Sequence, residues 1–389
     1  VEQIDTAFFP LEDPPGTPWG VNPPGSAPPA GGERYHLNWP GRIEALRRSR
    51  ESTDRVLRPR REESFLFDQA RNMVIQEEPL GAFKMLQESL LEQVAVISLS
   101  LPAPPAEPER QGQNHSAWLS EAYPLFRLAW NLLQDRGLLR VVLPPGEEIP
   151  LLCVLDELFG EEQRLFSWGE GAGPGRTVRY CKNAAAGTTA ESPWQDRQGC
   201  FLALADPEDP LKTMEEVLAR NGQDQGQRSF VLIVPPEDSG HPEDSGLLEQ
   251  VRALEIPFRL LRGDSATREI PCVQDDDELQ QDLPLQIDRI KPGRTPEDLL
   301  FHALLSCGIS PGIPLERQVL AGGTLFCAGH NRLVAWFGHT LTDRILKEIL
   351  RRRPGVAVFR ESACAGNEEK QALERFLRES SPGTVAGYL

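Results

Sequence analysis

Apolar residues recur at three- and four-residue spacing over LGAFKMLQESLL (80–91) and SAWLSEAYPLFRLAWNLLQDRG (116–137), and this predicts two amphipathic helices, the second ending at its glycine. The β-rich runs VAVISLSL (94–101) and LLRVVLPP (138–145) predict strands, and IPLLCVLDELFG (149–160) predicts a helix closed by Gly160. The rhythm resumes at CFLALAD (200–206), LKTMEEVLARNG (211–222), SFVLIVPP (229–236) and SGLLEQVRAL (245–254). Strands alternating with helices imply a mostly parallel sheet covered by helices on both faces. Between these blocks, residues 169–199 are Gly-rich and weakly patterned, with one strand expected at TVRYCKN (177–183). After the acidic stretch QDDDELQQD (274–282), EDLLFHALLSCG, GGTLFCAG, RLVAWFG, TDRILKEILRRRPG, VAVFRE and EKQALERFLRES alternate helix and strand again, as a small α/β domain would.

These patterns divide the chain into a Pro-rich extended arm (1–33), a large α/β domain (34–273), an acidic linker (274–285) and a C-terminal domain (286–389). The arm holds eight prolines and no apolar period, so it has no core of its own and either docks or stays mobile. A length of 389 residues with 39% hydrophobic positions supplies sizeable cores and excludes a wholly disordered chain. The net charge of −17 argues against an autonomous nucleic-acid binder, because phosphate contacts are electrostatic. One stretch runs against that charge: nine arginines face three acids between Arg34 and Arg61. Its bland reading is a solvated helix and loop whose arginines pair with acidic neighbours; its sharper reading is a nucleic-acid or partner surface at Arg42, Arg47, Arg48, Arg58, Arg60 and Arg61. Seven scattered cysteines without a CxxC pair, together with histidines lacking ligand spacing, predict reduced thiols and no metal site. No run reaches the ~18 apolar residues of a membrane span, so a cytoplasmic protein is expected.

Catalytic constellations are few. GEGAGPG (169–175) lacks the Lys-Ser/Thr of a phosphate loop, SGHPEDSG (239–246) is a polar turn, and His115 with Ser116 is expected to cap a helix. Trp118, Tyr123, Phe126 and Trp130 fall on one helix face and predict core or subunit-interface packing. Arg351, Arg352 and Arg353 close the helix begun near Thr340, where cations complement the helix dipole; phosphate contact there is a secondary reading.

Several stretches, in order, resemble the modification (Mod) subunit of type III restriction-modification systems, the β-class adenine-N6 DNA methyltransferases. YHLNWPGRIEALRRS (35–49) and LRPRREESFLFDQARNMVI (57–75) are similar to the family's leader. LGAFKMLQESLLEQVAVISLS (80–100) lies where the family has a helix and then its catalytic strand, and RYCKN (179–183) resembles the strand after which its target-recognition domain is inserted. LPLQIDRIKPGRTPEDLLFHALLSCGI and LVAWFGHTLTDRILKEILRRRPGVAVFRES match the C-terminal part. The resemblance implies a Rossmann-like methyltransferase sheet with circularly ordered motifs, plus a small C-terminal α/β domain.

The matching positions depart from the chemistry. Where the family has Asp-Pro-Pro-Tyr, register from VAVIS gives Ser100, Leu101, Pro102 and Ala103, without the carboxylate or the ring that stacks on an extruded base. The family's Phe-x-Gly-x-Gly turn, which holds S-adenosylmethionine, corresponds to Phe201 with Leu204 and Asp206 at the glycine positions, followed by Pro207 and Glu208. Its Gly-Asp-Asn-Leu appears as Glu77, Glu78, Pro79 and Leu80. Some sixteen residues (184–199) stand where a base-reading domain would be, too few to fold as one. The expectation is a pseudo-methyltransferase with no catalytic residues and no cofactor. It would be a scaffold in a bacterial type III-like restriction or anti-phage defence complex, binding an active Mod-type subunit, a Res-type helicase-nuclease, or both, with DNA touched at most indirectly. Two rivals are a diverged but active S-adenosylmethionine-dependent adenine methyltransferase, and a DNA-contacting architectural subunit that uses the arginines of 42–61.

Overall fold

A computed structural model describes residues 37–102, 104, 111–165, 176–184, 197–205, 211–236, 246–267, 290–364 and 366–389. The Pro-rich arm, GEGAGPG, all of SGHPEDSG but its last glycine, and the acidic linker lie outside the described residues, as do Ala103, Asp206, Pro207 and Glu208.

The elements of the first part are α1 (Arg42–Arg50), β1 (Val56–Pro59), β2 (Asn72–Gln76), α2 (Pro79–Leu90), β3 (Val94–Ser100), α3 (Gln111–Leu132), β4 (Leu133–Leu143) and α4 (Glu148–Phe159). They continue with β5 (Arg164–Leu165), β6 (Arg176–Cys181), β7 (Cys200–Leu204), α5 (Lys212–Asp224), β8 (Ser229–Val234), α6 (Leu247–Ala253) and β9 (Phe258–Asp264). Nine strands form one sheet in the order β1-β9-β2-β8-β7-β3-β4-β6-β5. The six from β9 to β4 are mutually parallel, while β1, β6 and β5 join antiparallel at the edges. Parallel strands buried on both faces read as near-continuous apolar runs, and β3 and β8 do so. On one face, α2, α3 and α4 supply Phe83, Leu86, Phe126 and Leu155 to the main core. On the other, α5 and α6 supply Met214, Val217 and Val251.

The second part comprises α7 (Pro296–Ser306), β10 (Leu315–Leu320), β11 (Gly323–Ala328), β12 (Leu333–Trp336), α8 (Asp343–Arg352), β13 (Val356–Phe359), α9 (Asn367–Ser380) and β14 (Val385–Tyr388). Its five strands lie in sequence order, antiparallel through β12 and parallel from β12 to β14. Alternation of two sets both residues and faces: Phe326, Ala328, Leu333 and Ala335 join the main core, while Leu325, Cys327, Val334 and Trp336 meet Ile345, Ile349, Leu373 and Leu377 of α8 and α9. α7 is shared between the two parts, since Leu300, Phe301 and Leu304 are buried in the main core. It starts in a capping box, in which Thr295 Oγ1 accepts from the Asp298 amide and Asp298 Oδ2 accepts from the Thr295 amide.

Three expectations need correction. The helix predicted over 116–137 is α3, which starts earlier and gives way to β4 at Leu133, so Gly137 lies in a strand and ends no helix. The cause is a bulge against β3: Arg136 has φ 59°, and a Cβ on Gly137 would meet the Gln134 carbonyl at 2.8 Å. His115 is inside α3 and caps nothing; its Nδ1 lies 3.0 Å from Glu147 Oε2. Strands β1, β2, β5, β9, β10 and β14 were not anticipated.

Candidate functional site

In an open parallel sheet, ligands bind beyond the carboxyl ends of the strands, where successive connections leave in opposite directions. That point falls between β7 and β3 here, because β7 leads through α5 to β8 on one side and β3 through α3 to β4 on the other. The three degenerate stretches come to this same edge of the sheet. Glu77 and Glu78 follow β2, Ser100 to Pro102 end β3, and Leu204 ends β7.

The end of β7 is built as a strand. Leu202 and Leu204 enter the main core and Phe201 enters the core on the opposite face, so all three are packing residues. Leu204 is 7% exposed, and the Ala205 amide donates to the Ile233 carbonyl at 2.9 Å. A glycine cradle for S-adenosylmethionine needs amides turned toward the ligand. Counted from Phe201, the spacing Phe-x-Gly-x-Gly falls on Ala203 and Ala205, one residue before Leu204 and Asp206. Ala203 is buried and the Ala205 amide is held in the ladder, so neither offers a free amide in the way that cofactor needs.

At the end of β3, Ser100 pairs in register with Val142 of β4, and Leu101 packs against the main core. The Pro102 carbonyl accepts a 2.8 Å hydrogen bond from Trp118 Nε1. Trp118 is 9% exposed, Tyr123 and Phe126 are buried beside it on α3, and Trp130 stacks on Phe159 at 4.4 Å, so this helix face is core. The His115 ring lies 6.1 Å from that of Trp118, which brings the His115–Glu147 pair to the same edge.

The end of β2 is held by charge pairs. Arg55 Nη2 donates to Glu77 Oε2 at 2.6 Å and to the Gly263 carbonyl at 3.1 Å. Glu77 Oε1 accepts from the Glu78 amide, at the start of α2. A Cβ on Gly263 would stand 1.5 Å from Glu77 Oε2, so a side chain there would displace the Glu77 carboxylate. Next to it, Arg262 Nε donates to Gln76 Oε1 at 2.7 Å and its Nη2 reaches Glu63 at 2.8 Å.

The arginines singled out in the sequence do not converge. Arg42 is bonded to Glu157 of α4 and to the Leu37 carbonyl, and Arg47 lies between Glu44 and Glu51 on α1. Arg58 bridges Asp264 (3.3 Å) and Asp298 (3.1 Å); Arg61 bridges Asp68 (2.8 Å) and Glu297 (2.8 Å) with its guanidinium 4.2 Å from the Phe67 ring centre. Arg60 is half-buried, its amide bonded to the Leu260 carbonyl, and Arg48 is half-buried on α1. Arg58 and Arg61 thus tie β1 and the turn after it to α7. Burial pushes Asp264 up, but the Arg294 and Arg58 guanidiniums and the Ser265 amide outweigh it and hold the carboxyl at about 2.

Arg259, on β9, was not singled out. It is fully buried, donates to the Phe67, Asp68 and Pro311 carbonyls, and lies between the Phe67 and Phe301 rings at 5.1 and 5.9 Å. Burial pushes its guanidinium down to about 10. No signal at Arg259 itself foretold this, because its partners are 52 to 192 residues away. Among the described residues there is no group of three metal-ligating side chains, and no helix is long and apolar enough to cross a membrane.

No protein-family model matches the chain, and no curated protein matches it. Solved structures do resemble it. One is TTHA0409 from Thermus thermophilus, designated a candidate DNA modification methylase and complexed with S-adenosyl-L-methionine (12% identity, 50% of this chain and 100% of that one, TM-score 0.33). Another is the PvuII DNA methyltransferase, cytosine-N4-specific (8% identity, 50% and 98%, TM-score 0.31). A third is M1.HpyAVI (10% identity, 43% and 93%, TM-score 0.26). The likeness spans about half of the chain, and the strand order and directions, rather than these superpositions, define its fold.

Proposed function

We propose that this chain is a catalytically inactive, methyltransferase-like scaffold subunit of a bacterial type III-like restriction or anti-phage defence complex. The observation that carries the reading is that the polar groups at the switch point are already bonded within the chain. Trp118 occupies the Pro102 carbonyl, Ile233 holds the Ala205 amide, and Arg55 neutralises Glu77. Methyl transfer to an amino group needs acceptors aimed at the amine and donors aimed at the cofactor. Acceptors and donors with internal partners supply neither. Scaffolding follows because the strands and helices around the site remain fully packed, so what a partner could use is surface. The partners, an active Mod-type subunit or a Res-type helicase-nuclease, follow from the resemblance of residues 34–389 to the type III family.

Titration calorimetry with S-adenosylmethionine tests the inactive reading. No heat of binding is expected at millimolar cofactor, and micromolar affinity would establish the rival, an active and diverged enzyme. Copurification from the native host tests the scaffold: stoichiometric recovery with a methyltransferase or helicase-nuclease is expected, and recovery of the chain alone from gentle lysates would refute it. The third reading, DNA contact through 42–61, finds little support in arginines that face carboxylates.

A further inference from the structure

The basic segment near the N-terminus pairs with acids, but α8 carries cations of a different kind. Its sequence DRILKEILRR turns Ile345 and Ile349 onto the small sheet. Arg344, Lys347 and Arg351, at i, i+3 and i+7, therefore share the opposite face, and all three are exposed. Arg344 and Lys347 have no carboxylate partner among the described residues. Arg351 shares Glu348 with Arg352, and at 72% exposure its bond exchanges readily with water. Arg352 is different in kind: it turns back onto Glu316, Gln318 and Glu348 and fixes the end of the helix.

We infer that this face of α8 is a docking surface for the phosphate backbone of a duplex nucleic acid. The three cations span about 10 Å along a rigid helix, at 1.5 Å per residue. α8 carries no aromatic residue on which an unpaired base could stack, which disfavours single strands. It exposes no large apolar side chain of the kind that anchors a protein partner. Beyond the helix end, Arg353 closes α8 in the left-handed conformation, and exposed Arg332 lies in a turn, its carbonyl bonded to the Val356 amide. The net charge of −17 repels DNA elsewhere and would leave this face as the approach. The inference does not depend on the scaffold reading, since a silent or an active cofactor site leaves α8 unchanged.

The test is fluorescence anisotropy of a labelled 30-base-pair duplex with the full-length protein at 20 to 200 mM salt. Binding is expected at low salt. Three phosphates contribute a log–log slope of about −2.7, so a fourfold rise in salt weakens binding by about 40-fold. R344Q/K347Q/R351Q should remove that part of the slope while keeping its thermal transition, and R48Q should bind as the wild type does. Four results would overturn the inference: no wild-type binding at 20 mM salt, an unchanged slope in the triple variant, equal loss in R48Q, or binding of polyglutamate in preference to duplex. The last would point to an acidic protein as the occupant.

Discussion

Replacing Trp118 with Phe separates a built-in seal over the end of β3 from a gate that opens. The indole N–H reaches the Pro102 carbonyl at 2.8 Å, and Trp118 is 9% exposed in the main core. Phe keeps the apolar contact but removes the donor; Pro102 is exposed, so water takes the donor's place and the net loss is about 0.5–1.5 kcal/mol. The smaller ring leaves a gap worth roughly another 0.5–1 kcal/mol, at the low end of what cavities cost. A loss of about 1–2.5 kcal/mol is therefore expected, which lowers the melting temperature by roughly 2–10 °C for a unit of this size. Urea unfolding followed by circular dichroism reads the same quantity as a lower midpoint at constant slope. If the indole instead swung away to admit a base, the bond would be made only part of the time and its removal would cost little. A variant that melts within 1 °C of the wild type, or that acquires S-adenosylmethionine-dependent methylation, refutes the argument.

Arg58→Glu should reduce stability by about 3–5 kcal/mol, read by urea unfolding, because it places a carboxylate between Asp264 and a buried Asp298; a variant of wild-type stability would mean the bridge is unimportant. Asp298→Ala removes the capping box and the Arg58 partner together, and a loss of about 2–4 kcal/mol is expected in the same assay. Acid sensitivity has a definite sign: Asp264 has a depressed pKa in the fold, so its contribution is complete above its unfolded value near 4 and is lost as pH falls toward about 2. Asp264→Asn should flatten the fall in melting temperature across that window, and an unchanged profile would exclude the Asp264 bridge as its cause. Arg259→Ala should cost about 3–5 kcal/mol, because three backbone carbonyls lose a shared donor, whereas the apolar isostere Arg259→Met should recover part of that loss.

The alternation of strands and helices was legible because each element carries its own period. β3, β7, β8 and the helices after them emerge from runs of five or more patterned residues. Of the missed elements, β2 and β9 are strands of that length and were overlooked, whereas the others lacked the signal. β1 and β14 have four residues each, and β10 is an edge strand in which Glu316, Arg317 and Gln318 leave no apolar run. The α3 to β4 boundary was misplaced because Gly137 looks like a helix end, whereas its use is to let a bulge form against β3.

The candidate site divides along the same line. That three stretches depart from the motifs of the resembled family could be read one residue at a time: a serine where that family has a carboxylate, residues with side chains where it has glycines. What stands in place of those motifs could not, since Arg55 meets Glu77 across 22 positions and Arg58 meets Asp298 across 240. The roles of the arginines follow from this distinction. Sequence counts cations, and the dense run at 42–61 outweighed everything else in the chain. Energetics, however, depends on what each cation faces. Arg58 and Arg61 sit against carboxylates of α7 and tie β1 and the turn after it to that helix, so changing them tests the fold before it tests any ligand. The sparser cations of α8 face water, and an exposed charge without a partner can be neutralised by phosphate at no cost to the protein's own bonds.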